Sequence, residues 1–456
     1  MISQLKRSLG KQFHDATKHT PLSVMVDPNY VDYSTQPTVF KRYPHFYRRF
    51  PLEAGDRISE LMRLTSTITL NKQSKYDSYQ LRVNPSAGAL YPTEVYVQIR
   101  GLKGFVDGIY HLEVANNSIT LIYELIDDGL ESCILPNYQV QGFIFLVSCV
   151  YFRSSWKYKN RSLRYCFLDS GHHLGAIEAA ADYSDRNLEV IFNFDKLTLN
   201  QDLGFGNQEF VTAAVISGEV KERFIRKLRS PLPFVAPTDY FEANDFIETG
   251  YKQTVNNDNL FNNNIQNNRL KSSAITKINS QSIFNKTSST KAPLFNFNRE
   301  QLRATILNRR SARAFKGGII QKSEWKQIWQ CLHQPLTTFD QEAITIYAIV
   351  NSFEGIEPGL YQETRLLKSG DYSKKAKYLC LNQALARDSA VVLFLTATYS
   401  NYQTAMQTAG WIGHRLYLTS NSLGIGCSGI GAYYDDETQE FLETNNDILY
   451  AVAIGR

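Results

Sequence analysis

The stretch 82–99, RVNPSAGALYPTEVYVQI, decides the reading of this chain. A small-residue turn, PSAGALYP, runs straight into an alternating strand, TEVYVQI. Pro85, Ser86, Ala87, Gly88 and Ala89 keep side-chain bulk low up to Leu90, and Gly88 lifts the steric penalty on unusual backbone angles. Such a backbone can lie close against a flat ligand; an ordinary tight turn before a strand reads the same way. Asn84-Pro85 also reads as a helix cap followed by Pro at the first helical position, with amides turned toward an electron-rich group.

The segments around this stretch occur twice. EVYVQI (94–99) leads to GIYHL (108–112), and TIYAIV (345–350) leads to GLYQE (359–363), so Tyr96 and Tyr347 share one offset with Gly108 and Gly359. Later, DSGHHLGAIEAAADY (169–183) faces TAGWIGHRLYLTSNS (408–422), each a helix with a small-residue start and an apolar stripe. Two correspondences in the same order predict a duplicated α+β domain. Its halves lie at 1–250 and 292–456. Residues 251–291 join them, since 253–291 are rich in Asn, Ser and Lys without apolar periodicity and read as a linker or a lid.

The halves differ in a complementary way. PSAGALYP occurs only in the first; before TIYAIV the second has the bulkier, polar CLHQPLTTFDQEA (331–343). The second opens with NRRSARAFKG (308–317), whose nearest counterpart in the first is RRFPLEAG (48–55). Arg309, Ser311 and Arg313 alternate, so in an extended segment they project to one side and offer a phosphate cradle. A solvated basic helix end is the bland alternative. Arg310 projects the other way and reads as structural.

At 456 residues the chain needs two or more domains, and its apolar fraction of 43% suffices for their cores. A net charge of +5 is mild and argues against nucleic acid as a partner. No apolar run follows the N-terminal Lys6, Arg7 and Lys11, and none reaches membrane-spanning length, so a cytoplasmic protein is expected. The six Cys are scattered without metal spacing and fit buried thiols in a reducing compartment. No metal is expected.

These motifs together resemble the FMN-dependent nitroreductase superfamily, in particular its SagB/ThcOx-type flavin dehydrogenases, the azoline oxidases of peptide natural-product biosynthesis. FHDATKH (13–19), PSAGALYP, GFVDGIYHLEVANNSITLI (104–122), WKYKNRSLRYCFLDSGHHLGAIEAAA (156–181), RRSARAF and GHRLYLTSNSLGIGCSGIGAYYDD (413–436) carry the resemblance, which covers most of the chain outside the linker. It implies tandem nitroreductase-like α+β domains, each a mostly antiparallel sheet wrapped by helices, embracing as an intrachain pseudo-dimer. It implies one shared FMN site built by Pro85, Ser86, Ala87, Gly88 and Leu90 with Arg309, Ser311 and Arg313, while the other pseudo-symmetric site is vestigial. Gly429 and its neighbours Gly424, Gly426 and Gly431 bring amides toward FMN or serve packing. The implied substrate is a modified precursor peptide, with a cyclodehydratase complex as partner, acted on by a monomeric pseudo-dimer or a further homodimer.

The resemblance assigns proton removal to Lys157-Tyr158. Arg161 and Arg164 follow closely, and their charge is expected to lower a neighbouring lysine or tyrosine pKa, while burial lowers lysine's and raises tyrosine's. Lys159 and Ser162-Leu163 stand where the branch favours Gly and Gly-Tyr, which alters the substrate pocket. His172 and His173 read as helix residues facing an interface. Two other functions fit the same fold: an NAD(P)H-dependent nitro- or quinone reductase, and a scaffold that has lost catalysis.

Overall fold

The computed structural model describes residues 2–27, 30–73, 78–255, 295, 298–338 and 341–456. Its strands are β1 (Arg49–Pro51), β2 (Ile68–Gln73), β3 (Ser78–Arg82), β4 (Thr93–Arg100), β5 (Gly108–Glu113), β6 (Ser118–Glu124), β7 (Tyr138–Val150), β8 (Glu189–Ile191) and β9 (Glu209–Glu222) in the first half. The second half supplies β10 (Thr345–Val350), β11 (Gly359–Gln362), β12 (Arg365–Ser369), β13 (Val391–Ala397), β14 (Gly426–Ile430) and β15 (Asp447–Gly455). β2 and β3 form a separate hairpin. One sheet runs β1-β6-β5-β4-β7-β9-β8 and the other β12-β11-β10-β13-β15-β14, so apart from β1 the two follow the same path. The repeat extends to the register. Ile99 pairs with Gly108 across β4 and β5, and Val350 with Gly359 across β10 and β11, at the offset read from the sequence. Every pair of these strands is antiparallel, giving two sheets of like topology in tandem.

The two expected helices, Ser162–Tyr183 and Tyr402–Ser422, are buried nearly throughout, and each joins the core of the other half. Trp411 and Leu418 pack with Val97, Phe145 and Ile177, while Phe167 and Cys166 pack with Leu393 and Ala405. The helices approach so closely that only hydrogen fits at the crossing. A Cβ on Gly171 would lie 2.1 Å from the Gln407 carbonyl oxygen, and one on Gly410 would lie 2.2 Å from that of Leu168. Backbone atoms cannot swing aside as a flexible side chain can, so Gly410→Ala is expected to force the helices apart at a cost of about 1–3 kcal/mol. Denaturant unfolding measures this; an unchanged midpoint would mean the crossing yields freely.

Three local expectations are corrected. No helix begins at Pro85: residues 87–89 form a single 3₁₀ turn whose cap position is Ser86, and Ser86 donates to a carboxylate elsewhere. The glycine-rich segment after Ser422 is largely strand β14. The 251–291 stretch starts inside a helix, Asp245–Thr254, capped by Asn244 and anchored by buried Tyr251, Thr254 and Val255. The remainder of that stretch lies outside the described residues. All six cysteines are buried free thiols, as expected. No helix among the described residues is long and apolar enough to cross a membrane.

Candidate active site between the two halves

The PSAGALYP turn is left-handed at three places: Gly88 at φ 64°, Ala89 at φ 55° and Tyr91 at φ 44°. Only Gly takes that conformation freely, so Ala89 and Tyr91 hold strain that their surroundings must sustain. Those surroundings are specific. The Tyr91 N–H donates to Ser86 Oγ at 2.9 Å, its carbonyl accepts from Arg153 Nη1 at 3.0 Å, and its hydroxyl accepts the Arg82 N–H at 3.0 Å. Ser86 Oγ in turn donates to Asp169 Oδ2 at 2.6 Å. Asp169 is 3% exposed, and burial raises its carboxyl to about 7 against the opposing pull of the Ser86 hydroxyl and the nearby Ala87 amide.

The second half meets this turn through RRSARAF, which follows the helix Arg299–Asn308, capped by Asn298 with Gln301. Arg309 is buried and donates from Nε to the Val83 carbonyl (2.7 Å) and from Nη2 to that of Arg82 (3.1 Å), directly beside Asn84-Pro85. Its guanidinium lies over the Tyr417 ring, 5.3 Å from the centroid. Ser311 Oγ and Tyr417 Oη are 2.9 Å apart, and the Gly429 N–H donates to the same Oη at 2.7 Å. Arg313 stays exposed. Arg310 points the other way, as expected, and donates to Thr69 and to the Leu307 and Arg309 carbonyls.

Lys157 and Tyr158 end the helix Tyr151–Tyr158 and are half-buried. Tyr158 Oη sits against Gly88, where a Cβ would lie 2.7 Å from it, so a glycine is required there twice over, by φ and by contact. Lys157 Nζ is 5.7 Å from the Tyr158 ring centroid, and the Tyr158 and Tyr165 rings meet edge to face at 4.6 Å. Burial, with Tyr165, Asp169 and Tyr33, raises the Tyr158 phenol, and Arg313 opposes them. Arg313 of the second half thus acts on Tyr158 of the first.

The expected influence of Arg161 and Arg164 on Lys157-Tyr158 is overturned. Both are consumed by Asp435, at 2.9 and 2.7 Å, in a buried hub that also takes the Thr17 and His14 carbonyls. The hub ties FHDATKH, the segment after Lys157-Tyr158 and the chain beyond β14 together; it positions the site without acting on its chemistry. His172 and His173 do face an interface, and they have partners: Tyr450 Oη at 2.8 Å and Thr93 Oγ1 at 2.9 Å. Burial lowers both rings to about 3, so they are neutral.

Reading the sequence missed Asp169, Tyr417, Tyr450 and the side chain of Asn84. Asn84 is fully buried with both amide atoms unpartnered, as is Nη1 of Arg309. A polar residue opening a small-residue turn was the one signal available.

The opposite, pseudo-symmetric face is filled. Glu178 pairs with Arg415 at 2.6 Å and accepts the Trp411 indole N–H at 2.8 Å, and Arg415 donates to the Gln334 and Pro335 carbonyls at 2.8 and 3.1 Å. Arg415 therefore closes the segment that stands where the first half carries PSAGALYP.

The sequence model of the nitroreductase family matches residues 306–456. A relative from Methanocaldococcus jannaschii, MJ1384, provisionally named a nitroreductase, is 26% identical over 133 residues, which are 25% of this chain and 66% of the relative. The chain thus spans just under two thirds of that curated relative. A crystal structure from Anabaena variabilis, also provisionally named a nitroreductase, superposes with a TM-score of 0.76 at 25% identity, over 98% of this chain and 99% of its own. The Escherichia coli microcin synthetase McbBCD complex with truncated pro-MccB17 bound covers 48% of this chain and 94% of its own at 14% identity, with a TM-score of 0.29, too low to bear on chemistry. Residues 306–456 thus match the nitroreductase-family model, within a chain that has the nitroreductase-like fold along almost its whole length.

Proposed function

We propose that the chain is an FMN-dependent oxidoreductase that dehydrogenates thiazoline or oxazoline rings to thiazoles or oxazoles in a ribosomally made peptide. The observation that carries this is the meeting, at one interface, of PSAGALYP and Lys157-Tyr158 from one half with RRSARAF from the other. The residues present suit FMN. Asn84 and Arg309 Nη1 are buried polar groups awaiting a partner, the wall beside them is small-residue backbone, and Arg313 offers a free planar fork for phosphate. Arg309, Ser311 and Arg313 would hold the phosphate and Pro85–Leu90 with Gly429 would line the ring. Bound FMN supplies a hydride acceptor. Aromatising an azoline also releases a proton from the adjacent atom. Because burial keeps the Tyr158 phenol protonated, Tyr158 orients the ring as a hydrogen-bond donor, and Lys157 Nζ accepts the proton.

Purified protein should be yellow, with one FMN per chain, since Arg415–Glu178 fills the opposite face. Arg313→Ala removes a charged donor from an exposed position, so folding should survive while FMN affinity falls about 10- to 150-fold, or about 1.5–3 kcal/mol. Flavin fluorescence titration checks both numbers; two tightly bound FMN per chain would refute the single-site reading. The family match over 306–456 also favours a second reading, NAD(P)H-fed reduction of nitro compounds or quinones. Rapid anaerobic bleaching of the flavin by NAD(P)H, with no two-hydrogen mass loss from an azoline peptide, would select it.

A further inference from the structure

Asp169 stands apart from the other buried carboxylates. Glu94, Glu178, Glu209 and Asp435 are each paired with a cation, whereas the groups favouring the charged form of Asp169 are the Ser86 hydroxyl and the Ala87 N–H. The titratable groups facing it are Tyr158 from the Tyr151–Tyr158 helix, Tyr91 from the turn, Cys149 from β7 and Tyr450 from β15; burial raises all four, so they are neutral near pH 7. The hydrogen bond to Asp169 comes from the start of the left-handed turn, whose Tyr91 N–H leans on the same Ser86 oxygen.

We propose that Asp169 is the positioning residue of the 86–91 turn, and that uptake of a proton by its carboxyl loosens the turn and weakens cofactor binding against it. The second clause rests on the FMN reading above. A carboxylate accepts the Ser86 O–H through a charge-assisted bond; a protonated carboxyl accepts it only through a neutral, weaker one. Ser86 Oγ also holds the Tyr91 N–H, so the weaker bond leaves the turn less firmly anchored. The strain at Ala89 and Tyr91 is then held by weaker contacts. Asp169 acts on the ligand only through Ser86, so its role is to shape the wall.

The test is hydrogen exchange on the full chain between pH 5.5 and 8.5, read as protection factors for residues 86–91 with β7 as internal reference. Wild type is expected to lose about tenfold protection relative to β7 as pH falls through about 7. Asp169→Asn keeps an acceptor oxygen but cannot titrate, so its profile should be flat. Ser86→Ala removes a bond that favours the carboxylate, so its midpoint should move to higher pH. A flat wild-type profile, a step retained in Asp169→Asn, or, should that variant not fold, an unmoved midpoint in Ser86→Ala overturns the proposal. FMN titrations on the same proteins should show wild-type affinity falling in step with protection. If FMN binds at no pH, the FMN reading and the cofactor clause fail, and the exchange profiles alone decide the control of the turn. If FMN binds with affinity independent of Asp169 while the profiles hold, only the coupling to the cofactor is refuted.

Discussion

Lys157→Ala is expected to stay folded and yellow while azoline dehydrogenation falls about 10²- to 10⁴-fold, the usual effect of removing a general base. Loss of flavin is not expected, because Lys157 lies at the end of its helix on the Tyr158 side while the residues proposed to hold the phosphate belong to the other half. Tyr158→Phe should cost less than Lys157→Ala. Its phenol is held protonated, so what disappears is a hydrogen-bond donor against Gly88 and not the proton acceptor. Mass spectrometry of a thiazoline peptide, with O₂ reoxidising the flavin, measures both. If Lys157→Ala oxidises the peptide at the wild-type rate, the base is elsewhere.

Stability should fall steeply as pH drops from about 6.5 to 4.5. Burial lowers His14 to about 4 and His172 and His173 to about 3, and sends His414 well below its ordinary value. For each, the folded pKa is below the unfolded one, so the unfolded chain binds the extra proton in that window. Their contribution is therefore complete above about 6.5 and is lost on acidification. Asp169 runs the opposite way: its folded value is raised, so the folded chain takes up a proton between about 7 and 4 and gains stability. With His19, likewise lowered to about 4, five histidines against one carboxyl leave four protons, at most about 5.5 kcal/mol per pH unit. Asp435, held well below the carboxylate range, stays ionised throughout and does not contribute. Urea unfolding at pH 7 and pH 5.5 tests this; equal stabilities would mean that the buried rings gain protons without unfolding.

What the sequence disclosed follows from what local pattern encodes. Alternation and the shared offset gave the duplicated strands, down to Gly108 and Gly359 facing Ile99 and Val350. Small residues gave the turn, and alternate spacing separated Arg310 from Arg309, Ser311 and Arg313. Charge partners were not legible. Arg161 and Arg164 are near Lys157-Tyr158 in sequence, yet their guanidiniums end on Asp435, more than 270 positions away. Asp169 looked like any residue of a small-residue helix start, because its character comes from burial against Ser86, a contact between helix and turn. Arg309 was read as part of a phosphate cradle, and its use as a clasp on the Arg82 and Val83 carbonyls depends on how two distant segments meet.

The Asp435 hub also fixes an order of assembly. The Thr17 and His14 carbonyls are clasped by Arg161 and Arg164 respectively, which are aligned by Asp435, more than 270 positions beyond them. Lys11 reaches still further, to Asp447 at 2.6 Å. On the ribosome, strands β4 to β9 can pair as soon as they emerge, because their partners are neighbours in sequence. The helix Ile2–Ala16 has no such option: its ionic partner Asp447 lies 436 positions further on. It therefore docks only once Asp435 and Asp447 have emerged, and until then the wall behind Lys157 and Tyr158 lacks its backing.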